Sequence, residues 1–163
     1  QVDRDSIRFM MLNRSNDVEL DFDFDKILEK TRENPVFYVQ YCYARISSLF
    51  RTLKIDISSE FEIDKNNFNL NEHELNLFRK IIDWPKVIET ASIKLEPHRI
   101  PFYLYELATL FHSYWSKGNE DANYKFIINE KIKNFKTLLI IKLVALTIEN
   151  GMKILGVKLP TRM

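Results

Sequence analysis

Tyr38, Tyr41 and Arg45 stand within the run Asn34-Pro35-Val36-Phe37-Tyr38-Val39-Gln40-Tyr41-Cys42-Tyr43-Ala44-Arg45-Ile46, which holds three tyrosines and one arginine. At about 100° per residue of helix, the run and its continuation separate into two stripes. Val39, Cys42, Tyr43, Ile46, Leu49, Phe50 and Leu53 make a wide apolar face suited to a core. Tyr38, Tyr41, Arg45, Ser48 and Thr52 make a second face, roughly a third of a turn away. Aromatic faces stack on the unstacked bases of an RNA loop, and a guanidinium meets a phosphate or a base edge. A plainer reading stays open: Tyr38 and Tyr41 pack beneath a neighbouring helix and Arg45 pairs with a carboxylate, because a bundle helix flanked on both sides needs two apolar faces.

Other chemistry has little support. Three scattered histidines and a single cysteine, Cys42, give no metal constellation and no multi-cysteine zinc site. No Ser/His/Asp or Cys/His spacing and no glycine-rich phosphate loop is present. A lone cysteine excludes an internal disulfide and fits a reducing, cytoplasmic compartment. No apolar run is long enough to cross a membrane without a charge. The net charge of +1 argues against a blanket electrostatic grip on nucleic acid. The charge is unevenly placed, however. Residues 1–35 hold six Lys/Arg against nine Asp/Glu, and residues 117–163 hold nine against four, so the C-terminal part is the one suited to face phosphates. Two solvated helix faces of opposite sign would read the same way.

The elements that must position these residues read as helices. Glycine and proline are scarce, and periodic apolar segments dominate 163 residues, enough for one domain with its own core. Residues 3–12 predict a short helix with Ile7, Met10 and Met11 inward. Asp21 to Asp25 predicts a turn, followed by a short helix over 26–32. Asn34 caps and Pro35 opens the tyrosine-rich helix, which runs to about Lys54. Residues 55–68 read as a loop with extended character. Asn71 and Glu74 resemble a capping box for a helix through Ile82. Trp84-Pro85 interrupts that helix and opens another, through about Leu95. After Glu96-Pro97 a helix is expected over 100–116, then a turn at 117–121. Residues 124–128 are ambiguous, and 131–155 read as a long helix ended by Gly156 and Pro160. The sum is an all-α bundle of six or seven helices.

Several segments, taken together and in order, resemble the anticodon-binding domain of arginyl-tRNA synthetases. The tyrosine-rich run is close to the bacterial Asn-Pro-Val-(aromatic)-Tyr-Val-Gln-Tyr-Ala-His-Ala-Arg-Ile, departing at Cys42 and Tyr43 on the core face. Asp5-Ser6-Ile7-Arg8-Phe9 is similar to the Asp-Ala-Leu-Arg (DALR) motif that names this domain class. Leu20 to Asp25 is similar to the Leu-Asp-Phe-Asp-Leu-Asp segment that follows. Glu96-Pro97-His98-Arg99 with Tyr103 to Ala108, Asn150 to Val157, and the ending Pro160-Thr161-Arg162-Met163 match further family blocks. The resemblance spans essentially the whole chain. It implies the all-α fold of class Ia synthetase anticodon-binding domains, over 1–163 as a single domain, with 1–33 leading from a catalytic domain absent here. Beginning at Gln1 without an initiator Met, the chain is read as a piece of a longer protein, which the resemblance implies is bacterial.

The resemblance further implies a parent enzyme, an ATP-dependent arginine–tRNA ligase, monomeric and using ATP with Mg in its catalytic part. The His-Ile-Gly-His-like and Lys-Met-Ser-Lys-like signatures of that part are not in these residues, so this chain is expected to recognise and not to catalyse, with no cofactor of its own. Its partners would be the anticodon loop of tRNA(Arg), whose central cytosine is an identity element, and the catalytic domain of the same chain. Carried over block by block, the candidate contacts are Tyr41, Arg45, Trp115, where the family usually has Tyr, and Met163, with Tyr38 beside them on the same face. Trp115 equally extends the apolar stripe Leu104, Leu107, Ala108 and Phe111, and Met163 is equally an ordinary frayed terminus. Arg8 is expected to secure a helix through a carboxylate, His98 to make a structural hydrogen bond, and His73 to sit on an exposed helix. Two other readings stay open: the domain of a related class I synthetase, and a helical protein-interaction module with Tyr38, Tyr41 and Trp115 as its patch.

Overall fold

The computed structural model describes residues 3–15, 17–19, 27–60, 69–128 and 131–163. Six α-helices dominate them: α1 (Arg4–Leu12), α2 (Pro35–Thr52), α3 (Glu72–Ile82), α4 (Trp84–Ile93), α5 (Arg99–Glu120) and α6 (Phe135–Leu155). A 3₁₀ turn (Ala122–Tyr124) and a two-stranded antiparallel ribbon, β1 (Ile127–Ile128) and β2 (Lys131–Ile132), lie between α5 and α6. The described residues are thus all-α apart from that ribbon. The segment Asp21 to Asp25 and residues 61–68 lie outside the described residues, as does the start of the helix expected over 26–32.

Local signals set most helix starts. The Asn34 side chain accepts from Phe37 N–H at 3.3 Å, and Pro35 occupies the first turn, where a missing N–H costs nothing. The same Asn34 amide donates to the carbonyls of Ile27 and Glu29, which ties the preceding segment to the start of α2. Asn71 and Glu74 form a reciprocal capping box at α3. Gly156 ends α6 in the left-handed region at φ 68°, which glycine adopts without a Cβ penalty.

Helix α5 is the hub, packing against α2, α3, α4 and α6, while α6 also packs against α2 and α3. The core stripe read on α2 is buried from Val39 to Phe50, with Leu53 partly covered. It meets Leu104, Leu107, Ala108 and Phe111 of α5 and Ile141, Val144, Ala145 and Ile148 of α6. Burial pushes the Cys42 thiol well above its ordinary pKa, so this cysteine behaves as a small apolar residue.

Six expectations are corrected. On α1, Phe9 is the fully buried residue and Met11 is exposed. Helix α5 continues through the expected turn at 117–121, because Gly118 serves close packing: a Cβ there would lie 3.0 Å from the Tyr124 carbonyl oxygen. Helix α6 begins at Phe135, since Asn134 caps it and 131–132 pair with β1. Arg8 donates through Nε to the Leu155 carbonyl at 2.5 Å, so its partner among the described residues is the C-terminal end of α6 and not a carboxylate. His98 Nδ1 is buried without a hydrogen-bond partner among the described residues, its ring set edge-on to Phe102. His73 is also less exposed than expected, because its ring stacks on Tyr114 at 5.3 Å.

Candidate nucleic-acid interface

Helix spacing puts Tyr41 and Arg45 on successive turns of α2, and the guanidinium carbon of Arg45 lies 4.4 Å from the centre of the Tyr41 ring. From the other side α5 brings Trp115, whose ring centre is 5.1 Å from the same carbon. Arg45 is therefore held between two aromatic rings. Among the described residues it has no carboxylate partner, and its contacts there are the two rings and His112. Ser48 and Thr52 continue this stripe in solvent.

His112 fixes the arrangement from below. It is buried on α5, one turn before Trp115, with Nδ1 3.5 Å from Arg45 Nη1 and Nε2 3.4 Å from the Tyr38 carbonyl oxygen. A guanidinium only donates and a carbonyl only accepts, so Nδ1 takes a hydrogen from Arg45 while Nε2–H is given to Tyr38. Burial, opposed by the Tyr38 carbonyl and aided by the Arg45 charge, lowers the His112 pKa from 6.5 to about 4. The imidazole is neutral at pH 7 and leaves the Arg45 charge intact.

The remaining rings form the support. Tyr41 stacks on Phe37 at 5.7 Å and on His112 at 5.6 Å. Tyr38 is half-buried, 4.5 Å from His112 and 5.3 Å from Tyr105, and burial raises its pKa. Its ring thus lies against α5, as in the plainer packing alternative. Trp115 combines both readings: one side packs on Phe111 at 5.8 Å and Phe126 at 5.6 Å, while another part faces Arg45.

The C-terminal tail runs along α2. Gln40 Nε2 donates to the Lys158 carbonyl at 2.9 Å and Arg51 Nη1 to the Thr161 carbonyl at 2.8 Å. Asp5 of α1 accepts from Lys158 N–H at 2.9 Å. Gln40 and Arg51 lie about 100° round the helix from the Tyr41–Arg45 stripe, on the other flank of the solvent face. The tail is docked as far as Thr161, and Met163 beyond it is 56% exposed. Tyr38, Tyr41, Arg45 and Trp115 are thus brought together, while Met163 projects from the end of a strap on the same helix.

Sequence reasoning missed His112, Gln40 and Arg51. The spacing of His112 three residues before Trp115 placed it on the same helix face, but nothing local indicated which helix it would meet. Gln40 and Arg51 bond to backbone oxygens, which leave no residue-type signal. No group of three or more potential metal-binding side chains occurs among the described residues, nor does any helix there have the length and apolarity to cross a membrane.

Comparison with known proteins gives the fold a family. A family model described as the DALR anticodon binding domain matches residues 39–163. The chain is 50% identical over its whole length to an arginine–tRNA ligase of Pelagibacter ubique and 42% identical to one of Brucella ovis. It spans only 28% and 29% of those curated relatives. A crystal structure assigned as an arginyl-tRNA synthetase from Campylobacter jejuni superposes with a TM-score of 0.83 at 25% identity, covering all of this chain and 34% of that one. Tyr41, Arg45 and Trp115, and the tail that follows them to Met163, all lie within the matched residues, and the chain belongs to the family of DALR anticodon binding domains.

Proposed function

We propose that this chain is the part of an arginine–tRNA ligase that grips the anticodon loop of tRNA(Arg) and reads its central cytosine. The observation that carries the reading is the Arg45 guanidinium, sandwiched between Tyr41 and Trp115 with no carboxylate partner among the described residues. Unstacked bases bind on such aromatic and guanidinium planes, and each stacked base is worth about 1–3 kcal/mol. Met163, at the end of the tail held by Gln40 and Arg51, supplies an apolar cover for a base. The parent protein joins arginine to its tRNA using ATP with Mg in a catalytic domain of the same chain, as a cytoplasmic monomer. The role of these residues is to bind and orient RNA.

The test is tRNA binding by the full-length protein that carries this chain. Affinity is expected to fall when the central anticodon cytosine is changed. Tyr41→Ala and Arg45→Ala are each expected to weaken binding about tenfold or more, in line with ~1–3 kcal/mol per stacked base, with a modest drop in melting temperature. Equal affinity for the two RNAs would sink base-specific recognition. A collapse of melting in both variants would place the two residues in the core instead.

A further inference from the structure

Two cavities continue the surface past Trp115. The first, of about 320 Å³, is bounded by Leu49, Trp115, Tyr124 and Phe126. The second, of about 310 Å³, is polar, and its lining includes Asn71, Tyr114, Lys125, Lys133 and Lys136. Lys125 lines both, so the groove beside Trp115 leads to the polar cavity.

The charge of the second cavity is unbalanced. Its single carboxylate among the lining residues, Glu74, is 1% exposed and fully engaged. Glu74 Oε1 accepts from Tyr114 OH at 3.1 Å and from the Thr137 hydroxyl, and Oε2 accepts from Asn71 N–H at 2.9 Å. Burial pushes the Tyr114 hydroxyl up to about 12, so it stays a donor at neutral pH. Lys133 Nζ is anchored on the Ala122 and Asn123 carbonyls at 3.3 and 2.5 Å, which costs it no charge. The side-chain ammoniums of Lys125 and Lys136 have no acceptor among the described residues. Three ammonium groups therefore surround a polar cavity whose carboxylate is already saturated by donors. Helices α3 and α6 both begin at its wall, and their N-terminal dipoles add to the positive potential without themselves defining a site.

We propose that this cavity is a phosphate seat for the backbone of the RNA strand whose bases meet Tyr41, Arg45 and Trp115. The proposal rests on the reading of that patch as an RNA interface. Lys125 links the two regions, so a strand leaving Trp115 along the groove carries its phosphates toward Lys125, Lys133 and Lys136. Flexible ammonium groups grip phosphates without reading bases, whereas the planar, stacked Arg45 is suited to bases.

The test compares the full-length protein with its Lys125→Ala/Lys136→Ala variant, measuring tRNA affinity across a salt series. Each phosphate contact contributes about 0.7–0.9 to the log–log salt slope, so the variant is expected to lose about 1–2 units of slope. Affinity should drop several-fold, by the same factor for tRNA(Arg) and for its central-cytosine variant. The charge-preserving Lys125→Arg/Lys136→Arg variant should keep the slope. An unchanged slope in the alanine variant overturns the proposal, as does a loss confined to the unaltered RNA, or an equal loss in the arginine variant. Lysine-dependent binding of inorganic phosphate with an unchanged tRNA slope also overturns it, in favour of a small-anion site. Failure of the base-reading itself is separate: it shows as equal binding of the two RNAs by the unmodified protein, while the slope still decides the phosphate seat.

Discussion

His112 shows how one buried side chain sets the chemistry of an exposed one. Its Nδ1 lone pair faces Arg45, and its Nε2–H is committed to the Tyr38 carbonyl. In the unfolded chain this histidine titrates near 6.5; in the fold it does so at about 4. Between those values the unfolded state binds a proton that the native state does not, so stability rises with pH across that window. Its contribution is complete above pH 6.5 and is lost as pH falls through about 4, with a slope of about 1.4 kcal/mol per pH unit. Protonation would also remove the acceptor for Arg45 and set a second cation beside it. Melting curves from pH 7.5 down to 4.5 are expected to show a steeper decline for the native protein than for His112→Gln; parallel declines would mean that His112 titrates normally. None of this was visible in the α2 sequence, whose stripe identified Arg45 but not the α5 residue beneath it.

At the scale of elements, the signals that reach only three or four residues were readable. Asn34-Pro35 and Asn71 with Glu74 announce their helices, because caps satisfy backbone groups within the first turn. Where the deciding partner is distant in sequence, the same residue types mislead. Gly118 followed by Asn119 looks like a turn, yet α5 runs on to Glu120 because the glycine lets the chain at Tyr124 lie against the helix. Residues 131–132 carry a helical apolar pattern but pair with β1 instead. Gly118→Ala is a direct check on this account. Alanine favours a helix by up to about 1 kcal/mol, whereas a Cβ placed 3.0 Å from a backbone oxygen forces a shift of the sort that costs ~1–3 kcal/mol. The variant is expected to melt lower and to bind tRNA more weakly, since the displaced segment holds Lys125 and Phe126. A higher melting temperature would show that the segment yields freely.

At the scale of the whole molecule, the described helices set the Arg45 sandwich, the groove past Trp115 and the lysine-lined cavity in succession, each sharing a residue with the next. Nothing in its sequence offers a nucleotide cradle or an acid–base pair, so this chain alone is expected to support no arginine-dependent exchange of pyrophosphate into ATP; measurable exchange would overturn its assignment as a recognition part. The strap formed by the C-terminal tail has an evolutionary consequence. Gln40 and Arg51 hold it through the main-chain oxygens of residues 158 and 161, and Asp5 holds a main-chain N–H. The side chains at 158 and 161 are therefore expected to vary more among relatives than Asp5, Gln40 and Arg51, which do the holding from positions far from the tail in sequence.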